Sequence, residues 1–163
     1  MPFLVTVVAL AIAAFAPAAL SHGDATHAKE SNRSISAEET PLGREGDPRK
    51  VSRTIHIDMD DHLRFKPSAI TVKRGETIRF RVKNSGRTIH EMVLGTMDDL
   101  KQHAALMRKH PGMEHDEPHM THVAPGKTST MVWQFTKAGE FHYGCLVPGH
   151  FEAGMLGKVT VMP

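Results

Sequence analysis

A single cysteine, Cys145, is the scarcest feature of the chain, and one thiol cannot close an intramolecular disulfide. The same count argues against a structural zinc site, which normally recruits more than one cysteine. Charge of one sign is missing too: 20 Lys and Arg face 18 Asp and Glu, and a net +2 is no electrostatic footprint for nucleic acid. No Ser/His/Asp order, phosphate-cradling glycine loop or acidic pair stands out, so the sequence gives no ground for reading an enzyme. A chain of 163 residues is enough for one domain with a real core, and not for two.

Acids and bases are absent altogether from residues 1–21, where Val, Ala, Leu and Phe dominate. An apolar run of that length ending in small residues reads as a secretory signal peptide, cleaved after Ala18 or Ser21. No twin arginine is present, so the general secretory route to the periplasm is expected, with no stable membrane insertion after cleavage. Residues 22–50 carry Ser, Glu, Gly, Pro and charge with almost no large apolar side chains. Such a composition cannot offset the entropy of ordering, and a disordered leader is expected there. A free thiol in an exported domain is a liability unless it is used.

From Val51 onward the apolar residues fall into period two, the mark of strands with one buried and one wet face. Strands are expected at Thr54–Met59, Ser68–Val72, Thr77–Lys83, Arg87–Leu94, Lys127–Phe135, Glu140–Cys145 and Leu156–Met162. Ile78, Phe80 and Val82 share one face, as do Met131, Trp133 and Phe135. Gly-containing turns such as Asn84-Ser85-Gly86 and Pro125-Gly126 separate them. This pattern predicts an all-β, antiparallel sandwich of seven or eight strands in Greek-key order over residues 51–163. One helix interrupts it at 97–110, with Thr96 as N-cap and Asp98 and Asp99 in the first turn. Met97, Leu100, Ala104 and Met107 form its apolar face, and Pro111-Gly112 end it, leaving 111–122 as a loop.

Cys145, His150 and Met155 follow one another at five-residue intervals. One thiolate, one imidazole and one thioether lack only a second histidine to complete a His₂Cys plane with a weak axial Met, the donor set of blue-copper electron transfer. His90 is the candidate for that histidine. In the strand before Cys145, Phe141 and Tyr143 share its face, so the sulfur points into the interior end of the sandwich. Leu146-Val147-Pro148-Gly149 then brings the chain back to His150, and Glu152-Ala153-Gly154 returns Met155. Taken singly, His90 reads as a half-buried strand-end residue and Met155 as a core gap filler; the joint spacing points to a metal. A binuclear copper centre needs two bridging cysteines, and multicopper oxidases need several His-x-His pairs, so both are excluded by counting.

The Cys145-x₄-His150-x₄-Met155 loop resembles the ligand loop of the cupredoxins, in particular auracyanin-type and related plastocyanin-like proteins. The segment His90-Glu91-Met92-Val93-Leu94-Gly95 is similar to their upstream histidine strand. The resemblance spans about residues 53–95 and 127–162. It implies one type 1 copper held by His90, Cys145 and His150 in a plane, with Met155 on a long axial bond. The family often has asparagine directly after the first histidine, where its side chain ties the two ligand loops together. Glu91 stands there in this chain.

Twelve histidines and ten methionines are a heavy load, and eight of them crowd residues 103–122: His103, Met107, His110, Met113, His115, His119, Met120 and His122. Imidazole suits Cu(II) and thioether suits Cu(I), so this insertion (97–122) is a candidate second copper site. The alternative is a polar insertion whose histidines stay wet while Met107 joins the core. Two functions follow. The first is one-electron transfer, with the electron leaving through the edge of His150 to a redox partner docked on the apolar collar of Leu146, Val147, Pro148, Phe151 and Ala153. The second is periplasmic copper handling or tolerance, since the chain is similar to cupredoxins associated with copper tolerance that carry extra His/Met segments.

Overall fold

The structure, a computed structural model, describes residues 34–111, 113 and 116–163. The apolar leader at 1–21, residues 22–33 of the segment read as disordered, and His115 lie outside the described residues. In chain order the elements are β1 (Gly43–Glu45), a 3₁₀ turn (Pro48–Lys50), β2 (Arg53–Asp60), β3 (Arg64–Lys66), β4 (Ala69–Lys73) and β5 (Thr77–Asn84). They continue with β6 (His90–Gly95), α1 (Met97–Lys109), β7 (Met120–Val123), β8 (Thr128–Phe135), β9 (Gly139–Gly144) and β10 (Leu156–Met162). One sheet has the order β1-β8-β5-β2-β3 and the other β4-β10-β9-β6-β7.

The period-two residues do the work expected of them. Ile78, Phe80, Val82, Met131, Trp133 and Phe135 from one sheet meet Met92, Leu94, Phe141, Tyr143, Val159 and Val161 from the other in one apolar cluster. Phe65 packs edge-on against Tyr143 with ring centroids 5.0 Å apart. The Tyr143 hydroxyl donates to the Pro67 carbonyl at 2.7 Å, so its one polar atom is satisfied where the ring is buried.

Among the described residues there are ten strands rather than seven or eight, and the three additions have separate causes. β1 lies inside the segment read as a disordered leader. Composition averaged over 22–50 hides a single anchor: Leu42 is 2% exposed and plugs the core beside β8. Gly43 then pairs with Phe135 so closely that a side chain there would strike the Gln134 carbonyl. β3 is three residues long, and β7 overlaps the end of the segment read as loop, where only Met120 and the adjoining Val123 are large apolar residues. The ladders are also not all antiparallel, because β2 pairs with β5 and β10 with β4 in parallel.

Helix α1 begins as expected. Thr96 Oγ1 accepts from the Asp99 amide and the Asp99 carboxylate accepts from the Thr96 amide, a reciprocal cap. Its buried residues are Leu100, Ala104 and Met107. They pack with Val93, Met120 and Leu146 in a second apolar cluster, to which Phe151 and Leu156 add. The helix therefore covers the outer face of β6, which is why all six residues of that strand are buried. Among the described residues no helix is long and apolar enough to cross a membrane.

Candidate metal centre

Three backbone segments bring the donors together. β6 starts at His90, and its pairing with β9 sets Val93 opposite Gly144, so Cys145 leaves β9 beside the first residues of β6. The connection from β9 to β10 supplies the rest. It is closed by backbone hydrogen bonds: His150 N to Val147 O (2.9 Å), Met155 N to His150 O (3.0 Å) and Cys145 N to Met155 O (3.1 Å). Gly149 and Gly154 sit at φ +89° and +86°, a left-handed backbone that a side chain would strain. The loop is thus a chain of tight turns closed by its own backbone hydrogen bonds.

His90, Cys145 and His150 converge with all three ligand atoms within 4.8 Å of one another. The sulfur lies 4.0 Å from His90 Nδ1 and 3.3 Å from His150 Nδ1. A trigonal metal with bonds of about 2.3 Å to sulfur and about 2.0 Å to nitrogen separates those donors by about 3.7 Å, which the two observed distances bracket. His90 and Cys145 are fully buried and His150 half-buried. Met155 is fully buried in the same cluster as Cys145. The donors present therefore fit a copper ion of the soft, mostly buried kind.

The surrounding groups prepare these donors. His90 Nε2 faces Asp61 Oδ1 and Thr88 Oγ1, each at 3.4 Å, which leaves Nδ1 free to face the sulfur. Asp61 is itself held by the amide of Arg87 and the amide and hydroxyl of Thr88. The Arg87 amide first, with Thr88, keeps its carboxyl down at about 2. Burial pushes the Cys145 thiol up to about 12, against the pull of the Glu91 and Val147 amides directed at it. Burial, then the neighbouring His90, holds His150 below its ordinary value. Both shifts favour neutral groups in the metal-free protein.

Glu91 does tie the loops together, as asparagine does in the resembled family. Its Oε1 accepts from the Leu146 amide at 2.8 Å, and its Oε2 lies 2.7 Å from His122 Nε2. Arg64 reaches the loop from β3, donating to Ala153 O at 3.0 Å, and Arg108 of α1 pairs with Glu152. Of these, sequence reading flagged only Glu91. Asp61 and Arg64 carried no signal, because nothing local marks a residue that matters through a partner ~30 to ~90 positions away.

The residues of the insertion scatter. Met107 and Met120 are 6% and 4% exposed and belong to the apolar cluster under α1. His119 packs edge-on against Trp133 at 6.1 Å and His122 is engaged by Glu91, while His110 and Met113 face outward and His103 is half-buried. Among the described residues only His90, Cys145 and His150 form a group of three His, Cys, Asp or Glu at metal-binding distance. The expected collar also needs correcting. Leu146 is 1% exposed beneath α1, leaving Pro148 and Ala153 exposed and Val147 and Phe151 half-buried.

Comparison with known proteins agrees with this geometry. The family described as copper binding proteins of the plastocyanin/azurin type matches residues 51–162. The copper-resistant cuproprotein CopI of Rubrivivax gelatinosus is 50% identical over 98% of this chain and 95% of its own length. That of Pseudomonas aeruginosa is 34% identical over 75% of this chain and 83% of its own. Among solved structures, the reduced auracyanin of Roseiflexus castenholzii superposes with a TM-score of 0.60 at 25% identity, covering 69% of this chain and 99% of that one. The sandwich, the converging His-Cys-His donors and these matches lead to one conclusion: the chain belongs to the plastocyanin/azurin family of copper-binding proteins, the cupredoxins.

Proposed function

We propose that the chain is an exported, periplasmic one-electron carrier whose copper would be held by His90, Cys145 and His150, with Met155 as a weaker fourth donor. The observation that carries this reading is that Nδ1 of both histidines faces the Cys145 sulfur. Copper in such a donor set supplies a Cu(II)/Cu(I) couple. The protein's part is to keep the donors from moving as the charge changes, through the closed turns of the loop and the amides aimed at the sulfur. The half-buried ring of His150 is the exit, and Pro148 and Ala153 with the partly covered Val147 and Phe151 offer a small apolar surface for a short-lived redox partner.

The test is an absorption spectrum of the oxidised, copper-loaded protein. An intense visible band from sulfur-to-copper charge transfer is expected, absent in Cys145→Ser. A colourless loaded protein, or a band that survives in Cys145→Ser, refutes the assignment.

A second reading, copper tolerance, is favoured by the name and the near full-length match of the Rubrivivax gelatinosus relative. The scattering of the described His and Met side chains in the insertion supports a version in which tolerance runs through the single buried site. Copper equivalents bound by the purified protein separate the readings: one equivalent is expected, and two or more would favour a reservoir in the insertion.

A further inference from the structure

Glu91 is the least expected residue in the sandwich. Its carboxylate is 2% exposed, and burying a carboxylate costs several kcal/mol unless it is paired and hydrogen-bonded. Both oxygens are in use: one accepts the Leu146 amide, the other meets His122. Glu91 and His122 are directly opposed across the β6–β7 ladder, on the face turned away from the core residues Met92 and Val123. Leu146 follows the cysteine directly, and the Glu91 amide is itself directed at the Cys145 sulfur. An asparagine at 91 could serve the Leu146 amide with its one oxygen, but it has no second oxygen to offer residue 122. The carboxylate therefore adds something that the usual tie lacks: a connection from the edge strand β7, inside the His/Met-rich insertion, to the residue beside the thiol.

We propose that Glu91 and His122 are positioning residues that hold the Cys145 loop in register from β7, so that copper retention and potential depend on a histidine that does not reach the metal. The inference rests on Cys145 being a copper ligand, as argued above. His122 fixes the direction of the Glu91 carboxylate; Glu91 fixes the Leu146 amide; Leu146 sets where the sulfur stands. The apolar packing of Leu146 against Leu100, Ala104 and Met107 presses the same residue from the other side. The density of histidine in the insertion thus has one structural use that copper binding there would compete with.

The experiment uses the full chain with His122→Ala, His122→Gln and Glu91→Gln. In the metal-free protein, hydrogen exchange at the Leu146 amide is expected to quicken about tenfold or more in His122→Ala. It should return toward wild type in His122→Gln, whose amide can still donate to the carboxylate. In the copper-loaded protein, release to a chelator should quicken roughly 10- to 100-fold in His122→Ala, the range seen when partners of metal ligands are removed. Glu91→Gln should keep the charge-transfer band and shift the potential upward, since a buried negative charge that favours Cu(II) is gone. Unchanged Leu146 exchange and copper release in His122→Ala would overturn the proposal. So would loss of one copper equivalent with an unaltered remaining centre, which would make His122 a ligand of a second ion. If Cys145→Ser showed that the thiol binds no copper, Leu146 exchange would still decide whether His122 holds the loop.

Discussion

Removing the metal should leave Cys145 as a buried neutral thiol, and raising the pH should then expose what that burial costs. The thiol is fully buried and pushed up to about 12 from an ordinary 9.0. The folded value is the higher one, so the unfolded chain ionises first. The contribution is constant below pH 9, and stability is lost as pH climbs from 9 toward 12. Three units at 1.36 kcal/mol each set a ceiling of about 4 kcal/mol, with about 1.4 lost by pH 10 and about 2.7 by pH 11. Tyr143 is also raised by burial, so the measurement is a difference. Urea unfolding of metal-free wild type and Cys145→Ser at pH 8, 9, 10 and 11 isolates the thiol. The two stability curves should converge or cross as the wild type loses the extra amount. The same shift governs loading. Binding copper as a thiolate at pH 8 should expel the thiol proton, and the thiol's share of the apparent affinity should rise about tenfold per pH unit. Parallel stability curves from pH 8 to 11, or loading at pH 8 without proton release, would refute the reasoning.

Asp61→Asn keeps the shape but weakens the grip on His90 Nε2 and on the Arg87 and Thr88 amides, and a loss of 10- to 100-fold in copper affinity is expected by competition with a chelator. Gly157→Ala puts a methyl into the Tyr143 ring across the β9–β10 ladder, and a loss of about 3 kcal/mol or more is expected from denaturant unfolding of the metal-free protein. A stability change under about 1 kcal/mol would mean the two strands slide apart more freely than their packing suggests.

What the sequence made legible was what neighbouring residues decide together. The alternation at Ile78, Phe80 and Val82 is a local signal, and so is the cap at Thr96, and both elements stand where that signal put them. The convergence of His90, Cys145 and His150 was legible because two of them sit five residues apart on one loop, with one histidine to be found elsewhere. The ordered run at Leu42–Glu45 was not, because one leucine decides it and the decision is made by the open edge of β8, 90 residues later in the register Gly43–Phe135 to Glu45–Trp133. Met107 and Met120 were ambiguous for a related reason. A thioether in a dense His/Met stretch looks like a ligand until packing shows it turned inward, and packing is settled by Val93 and Leu146 from other strands.

The carrier and tolerance readings ask different things of the same site. A carrier must keep its copper through many cycles, so release has to be slow. A buffer or delivery protein must give it up to an acceptor, so at least one donor needs a path outward. The donors on β6 and just after β9 are fully buried, and the loop from β9 to β10 is held from three sides: by Arg64 from the neighbouring sheet, by Arg108 from the helix and by Glu91 from β6. Only His150 is partly exposed, and it is flanked by Gly149, whose surroundings are open. That asymmetry favours electron passage, which needs an exposed ring edge and no motion, over copper transfer, which needs the loop to open. If tolerance is the biological outcome, the geometry supports achieving it by oxidising or reducing copper-linked partners or by holding one ion tightly, in preference to rapid exchange. Measured copper release from the wild type decides the matter. Release over hours would fit the braced loop, whereas release within seconds to a competing thioether ligand would show that the three ties do not restrain it.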